Sequence, residues 1–177
     1  ILELSALKPK FKAALADENV INIWFSQLLH SSTVCITTNV KSDFSTLAVT
    51  MLESIAASRG VVLSKEARDD ILQTFANLPP HTDVNKSLAK LKSAGFYIVA
   101  FSNSSIKLIS AQVANSGLTK YFDEIISVEE TGSFKPDPNV YKFAAKKLNR
   151  PVESLRLVAT HDWDTHGALS VGMHAAY

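Results

Sequence analysis

From Phe96 onward the sequence alternates short apolar runs with helical segments. "FYIVAF", "EIISV", "LRLVA" and "MHAAY" are separated by "SIKLISAQVANSG", "NVYKFAAKKLN" and the stretch that opens on "HDWD". Short strands alternating with helices specify βαβ units, and with them a parallel sheet joined by right-handed crossovers. The residues before this block follow a different rule. Between about Asp17 and Pro80, "ADENVINIWFSQLLH" places apolar residues at positions 20, 21, 24, 25, 28 and 29, the spacing of one helical face. "DFSTLAVTMLESIAASRG" repeats that spacing and ends at Gly60, while "SKEARDDILQTFANL" opens on a capping Ser64 and is stopped by Pro79 and Pro80. The expected fold class is therefore α/β, a parallel-sheet core preceded by a strandless helical lobe.

A chain of 177 residues holds one core with a small accessory lobe, and 46% hydrophobic with 20% charged residues suits a soluble globular protein. The formal charge is +1, and no basic cluster is interleaved with aromatics, so nucleic acid is not an expected partner. A small anionic substrate fits the same balance. Cys35 is the single cysteine. It can make neither an intrachain disulfide nor a thiolate cage for a metal, which points to a reducing compartment and an expected cytoplasmic location. No apolar run reaches the roughly 18–20 residues needed to cross a bilayer, so no membrane association is expected.

In a parallel sheet, ligands sit beyond the carboxyl ends of the strands. Three polar clusters fall there. "FSNSS" follows the first strand of the core; Ser102, Asn103 and the amides after them either cap a helix or hold an anion at its positive end. "SFKPDPNVY" fixes Lys135 between prolines after the second strand, either as a solvated surface lysine or as the cation that keeps a neighbouring carboxylate ionised. "HDWDTHGA" follows the third strand. There Asp164 caps a helix, pairs with Lys135 or orients a water as general base. With Asp162, His161 and His166 so close, a metal site is a further reading, although nothing elsewhere supplies an obvious third ligand.

Taken in order, "FSNSS", "FKPDPNVY" and "VATHDWDTHGALSVGMHAAY" resemble motifs two to four of the haloacid dehalogenase superfamily. The helical stretch "IWFSQLL…DFSTLAVTML…LPPHTDV" resembles the cap of its type II, L-2-haloacid dehalogenase-like members. The resemblance covers essentially the whole chain. It implies a Rossmannoid parallel sheet with an inserted helical cap: a segment over residues 1–10 that follows the first strand, a cap over 11–80 and an α/β core over 81–177. It further implies a hydrolase that removes halide from short 2-haloalkanoic acids, of the (S)-2-haloacid dehalogenase type. An aspartate at the end of the first strand displaces the halide, and water hydrolyses the resulting ester. No cofactor is implied, and a homodimer is compatible.

Carried onto this chain, Lys135, Asp164 and Ser102 are the expected catalytic residues. Lys135 neutralises the nucleophile, and Asp164 positions Lys135 and the hydrolytic water. Ser102 binds the substrate carboxylate together with Asn103. Trp24, Phe25, Tyr141, Thr160 and His161 are expected to line the substrate, with Trp24 forming an apolar, halide-accepting wall. Phe25 stands where the resemblance implies an arginine, and Ala159 and His161 where it implies a serine and an asparagine. "SDFSTLA" carries Asp43 and Thr46 but opens a cap helix, so it is not the nucleophile motif. The nucleophile and the first strand are therefore expected upstream of Ile1, and residues 1–177 alone are expected to be inactive. Two alternatives remain. One is a Mg²⁺-dependent phosphatase, which requires an acidic residue four positions before Asp164, where Thr160 stands; the other is a non-catalytic family member.

Overall fold

The computed structural model describes residues 1–177. Its first half contains no named strand. A 3-10 turn over Leu4–Leu7 leads into α1 (Lys8–Leu15), followed by α2 (Val20–Thr38), α3 (Phe44–Ser58) and α4 (Lys65–Ala76). The side chain of Asp43 caps α3 by accepting from the Thr46 amide, and Ser64 caps α4 by accepting from the Ala67 amide. α1 has no counterpart in the sequence reading, because three lysines in "KPKFKAAL" mask its apolar face; the face exists nonetheless in the buried pair Phe11 and Leu15. α2 continues past "LLH" to Thr38. Nothing in "SSTVCITT" breaks a helix, and Ser32, Thr33, Thr37 and Thr38 return their hydroxyls to carbonyls three or four residues back. The opening of the chain is tied to the exit from α4: Leu2 bridges Pro80, and the Glu3 amide donates to the Pro79 carbonyl at 2.8 Å.

The second half alternates as its pattern requires: α5 (Val84–Ser93), β1 (Val99–Ser102), α6 (Ile106–Asn115), β2 (Glu124–Ser127), α7 (Pro138–Lys147), β3 (Arg156–Val158), α8 (Asp162–Ser170) and β4 (His174–Ala176). β1 pairs in parallel with β2 from Val99↔Glu124 to Ser102↔Ser127, and β3 pairs in parallel with β4 from Arg156↔His174 to Val158↔Ala176. The expected sheet is thus present as two parallel pairs rather than one ladder. β1 and β3 do not bond to each other, and each keeps an unpaired edge. Val158 on β3 is correspondingly 72% exposed, although a β-branched residue at the centre of a sheet is normally covered.

One apolar cluster joins α1–α4 to the second half through Val128, Phe134, Val140, Tyr141, Ala168 and Met173. A smaller one packs Val84 and Leu88 of α5 against Ala100, Ile109, Val113 and Leu118. The helical lobe therefore shares its core with α7 and α8, the elements that carry the polar clusters. No helix is long and apolar enough to cross a membrane.

Candidate active site

The carboxyl end of β1 and the first turn of α8, the helix that follows β3, are bridged by one side chain. Lys135, in the loop between β2 and α7, donates from Nζ to the Phe101 carbonyl at 3.0 Å and to Asp164 Oδ2 at 3.2 Å, with Nζ also 4.2 Å from the centre of the Phe101 ring. The loop is stiffened by Pro136, which follows a cis peptide bond, and by Asp137, whose side chain caps α7 at the Asn139 amide. Asn103 completes the anchoring by accepting from the Lys135 amide through Oδ1 at 2.9 Å. That bond fixes the orientation of the carboxamide, leaving its NH₂ group to donate elsewhere.

Both oxygens of Asp164 are engaged. Oδ2 meets Lys135, and Oδ1 accepts from the Tyr141 hydroxyl at 2.7 Å, which also lies 3.2 Å from the Asp164 carbonyl. Lys135, Asp164 and Tyr141 are all buried. Burial pushes the Lys135 ammonium below its ordinary value, against the opposing pull of Asp164. Burial, and then the hydrogen bond to Asp164, pushes the Tyr141 phenol up. The trio is a charged pair locked by a neutral donor, an arrangement that holds a cation fixed in a place from which water is largely excluded.

Ser102 and the turn after it are more committed than their sequence suggests. Ser102 Oγ accepts from the Ser104 amide at 3.0 Å, Ser105 caps α6 at the Leu108 amide, and the Ile106 amide is taken by the Glu129 carboxylate at 3.1 Å. Part of the positive end of α6 is satisfied within the chain, while the Ser102 hydroxyl and the Asn103 NH₂ donate to no group of the chain. A cleft lined by Asp43, Phe44, Asn103, Ser105 and Phe134 brings Asn103 to the boundary with α3.

The remaining expected residues divide. Tyr141 lies in the site. Phe25 is half-buried and faces His161 across the boundary between α2 and the loop before α8, with ring centres 6.2 Å apart. Trp24 is withdrawn: it is fully buried between Phe11 and Phe75, and its indole N–H is spent on the Ala48 carbonyl at 2.9 Å, so it backs Phe25 rather than lining a wall. Thr160 is exposed just before α8, and Asp162 is exposed with its carboxylate on the Trp163 amide. One residue that shapes the site was not anticipated. A Cβ on Gly167 would lie 2.6 Å from the Tyr141 hydroxyl and 2.8 Å from Pro136 Cβ, so the bare backbone there lets Tyr141 reach Asp164. The signal was available as a glycine in the middle of a helical stretch. Ser127 was also missed; it donates to the Ser104 carbonyl at 2.7 Å and so ties the end of β2 to the turn after β1.

The chain is similar to curated and structurally characterised proteins. The (S)-2-haloacid dehalogenase of Pseudomonas fluorescens is 34% identical over 113 residues, covering 64% of this chain and 50% of that protein. The (S)-2-haloacid dehalogenase 1 of Pseudomonas sp. (strain CBS-3) is 27% identical over 157 residues, covering 89% of this chain and 69% of that protein. The chain spans about half the length of the first of these. Among solved structures, the L-2-haloacid dehalogenase from Xanthobacter autotrophicus with chloropropionic acid covalently bound superposes with a TM-score of 0.92 at 24% identity, covering 99% of this chain and 71% of that one. A family model described as a hydrolase, haloacid dehalogenase-like hydrolase, matches residues 12–157. With the Lys135–Asp164 pair set at the carboxyl ends of parallel strands and a helical lobe ahead of them, the chain belongs to the haloacid dehalogenase-like hydrolases.

Proposed function

We propose that this chain is part of a hydrolytic dehalogenase acting on short 2-haloalkanoic acids, with (S)-2-haloacids as the substrate class. The observation that carries the reading is the buried Lys135–Asp164–Tyr141 trio between the ends of β1 and β3. In this reaction a carboxylate attacks C2 of the substrate, the C–halogen bond breaks with its electron pair, and the configuration at C2 inverts. Water then attacks the ester carbonyl and releases the 2-hydroxy acid. Lys135 holds the attacking carboxylate ionised, Asp164 fixes Lys135 and orients the water, and Ser102 with Asn103 receives the substrate carboxylate.

The attacking carboxylate comes from outside residues 1–177. The unpaired edges of β1 and β3 support this, since each leaves backbone groups with which a further parallel strand can pair. The first check is the reading frame upstream of the Ile1 codon, where an apolar strand ending in Asp is expected. The second is chloride release from 2-chloropropionate by the whole protein, with and without EDTA. Release that persists in EDTA and vanishes in Lys135→Ala agrees with the reading. Turnover confined to a phosphoester in the presence of Mg²⁺ replaces it with a phosphatase, and a frame without the upstream Asp replaces it with a non-catalytic role.

A further inference from the structure

The turn that receives the substrate carboxylate in the proposed reaction and the loop that carries Lys135 are joined by more bonds than the sheet requires. β1 and β2 already align Ser102 with Ser127 through their parallel ladder. Beyond that ladder, Ser127 Oγ donates to the Ser104 carbonyl at 2.7 Å and accepts from the Glu129 amide at 3.0 Å. Glu129 reaches back in turn, its carboxylate accepting from the Ile106 amide at 3.1 Å. Asn103 Oδ1 closes the set by accepting from the Lys135 amide. Ser127 and Ser104 are 1% and 4% exposed, so a residue without a hydroxyl at position 127 would leave a buried carbonyl with no donor.

The segment between Ser127 and Lys135 is built to transmit a displacement rather than absorb it. It opens as a 3-10 turn over Val128–Thr131, with Val128 fully buried in the core shared with the helical lobe. Thr131 Oγ1 donates to the Val128 carbonyl at 2.6 Å and accepts from the Ser133 amide at 3.1 Å, and Ser133 Oγ donates to Asp137 Oδ2 at 2.7 Å. From the lobe, Lys41 holds the Gly132 carbonyl. A run of satisfied bonds of this kind stiffens the segment, so a shift at Ser127 moves Lys135 as well.

Resting on the dehalogenase reading, we propose that Ser127 and Glu129 are positioning residues that fix the distance between the Ser102–Asn103 turn and Lys135. They touch neither the substrate nor the reacting atoms. The substrate carboxylate is attached directly to C2, the atom under attack, so the receiver of that carboxylate and the holder of the attacking one must keep a single separation. A misplacement of about 1 Å in such a distance costs about a hundredfold in rate. Ser127 sets the separation at the end of the strand, and Glu129 keeps the start of α6 from drifting away from the Lys135 loop.

The test reads amide hydrogen exchange in the whole protein. In Ser127→Ala and in Glu129→Ala, the Lys135 and Ile106 amides are expected to exchange about tenfold to a hundredfold faster, while those of α2 keep the parent's rates. Glu129 is exposed, so its variant carries the test should Ser127→Ala not fold. Glu129→Gln keeps an acceptor for the Ile106 amide and stays close to the parent. In turnover, the two alanine variants lower kcat on 2-chloropropionate about tenfold to a hundredfold, whereas Kd for propionate, which needs only Ser102 and Asn103, changes little. Faster exchange throughout the chain, with kcat and propionate sites lost in proportion, marks a general loss of fold and overturns the proposal. A Lys135 amide that exchanges at the parent's rate, or a Gln variant that matches the Ala variant at position 129, overturns it too. If the parent releases no chloride from 2-chloropropionate, the dehalogenase reading fails, and exchange at Lys135 still decides the positioning role: local acceleration keeps it, and none removes it.

Discussion

Gly167→Ala is a substitution for which helix propensity and packing predict opposite signs. Gly167 lies in α8, where an alanine on an open face improves stability by about 1 kcal/mol. Here the added Cβ falls 2.6 Å from the Tyr141 hydroxyl and 2.8 Å from both Tyr141 Cε2 and Pro136 Cβ, well inside van der Waals contact. None of these atoms moves freely. Tyr141 is fully buried and set edge-on to Phe101 at 6.0 Å, and Pro136 is held between Lys135, which reaches Asp164, and Asp137, which caps α7. Overpacking of this kind costs about 1–3 kcal/mol, and prising the Tyr141 hydroxyl from the Asp164 carboxylate costs about 1.5–3 kcal/mol more. Set against the helix gain, the net expectation is a loss of about 1.5–5 kcal/mol in urea denaturation followed by circular dichroism. Adding Tyr141→Phe removes the closest contact and recovers part of the loss. A Gly167→Ala protein as stable as its parent, or more stable, refutes the packing argument outright.

Two further outcomes follow from the charges around Lys135. Asp164→Asn strands a buried ammonium and is expected to cost about 3–5 kcal/mol in the same denaturation assay, whereas Lys135→Met combined with Asp164→Asn costs less than Asp164→Asn alone, the mark of a coupled buried pair. The pH dependence has two opposing parts. Lys135 is depressed in the folded chain, so the unfolded chain binds more protons below about pH 10.4, and this residue's contribution to stability rises with pH up to that point. Tyr141 is raised in the folded chain, so above about pH 10 the unfolded phenol ionises first and its contribution is lost. Denaturation midpoints measured from pH 8 to 11 on the parent and on Tyr141→Phe separate the two, the variant lacking the alkaline loss.

How much of this was legible depended on how local the cause was. The cap at Ser64 was legible because it bonds within three residues of itself. The alternation of β1 to β4 with helices was legible because apolar periodicity reports the local conformation. The pairing of Lys135 with Asp164 is separated by 29 residues and became readable only through the order of three motifs along successive strands. Trp24 shows the limit. Its spacing gives it an apolar face, but spacing does not say that Phe11 and Phe75 close over it and take it out of the site. α1 was hidden for the reverse reason, since its lysines dilute a face that tertiary packing buries anyway. Gly167 required knowing that Tyr141 arrives from another helix.

The same contacts constrain which carboxylate does the proposed chemistry. Each oxygen of Asp164 already accepts one hydrogen bond, from Tyr141 and from Lys135, which damps its nucleophilicity while leaving lone pairs that can still accept from a water. Freeing it to attack would leave the buried ammonium without its counter-charge, at the cost that makes such pairs hard to break. Asp162 is exposed and turned onto the Trp163 amide, away from that pair. Lys135, in contrast, carries three hydrogens and uses two of them, on the Phe101 carbonyl and on Asp164. The third is available for a second carboxylate, and two unit charges about 4 Å apart attract by roughly 4 kcal/mol at an effective dielectric of 20, enough to hold that carboxylate ionised. Asp164 is therefore the residue that keeps Lys135 charged and aimed, and the attacking group of the proposed reaction is the carboxylate that takes the third hydrogen.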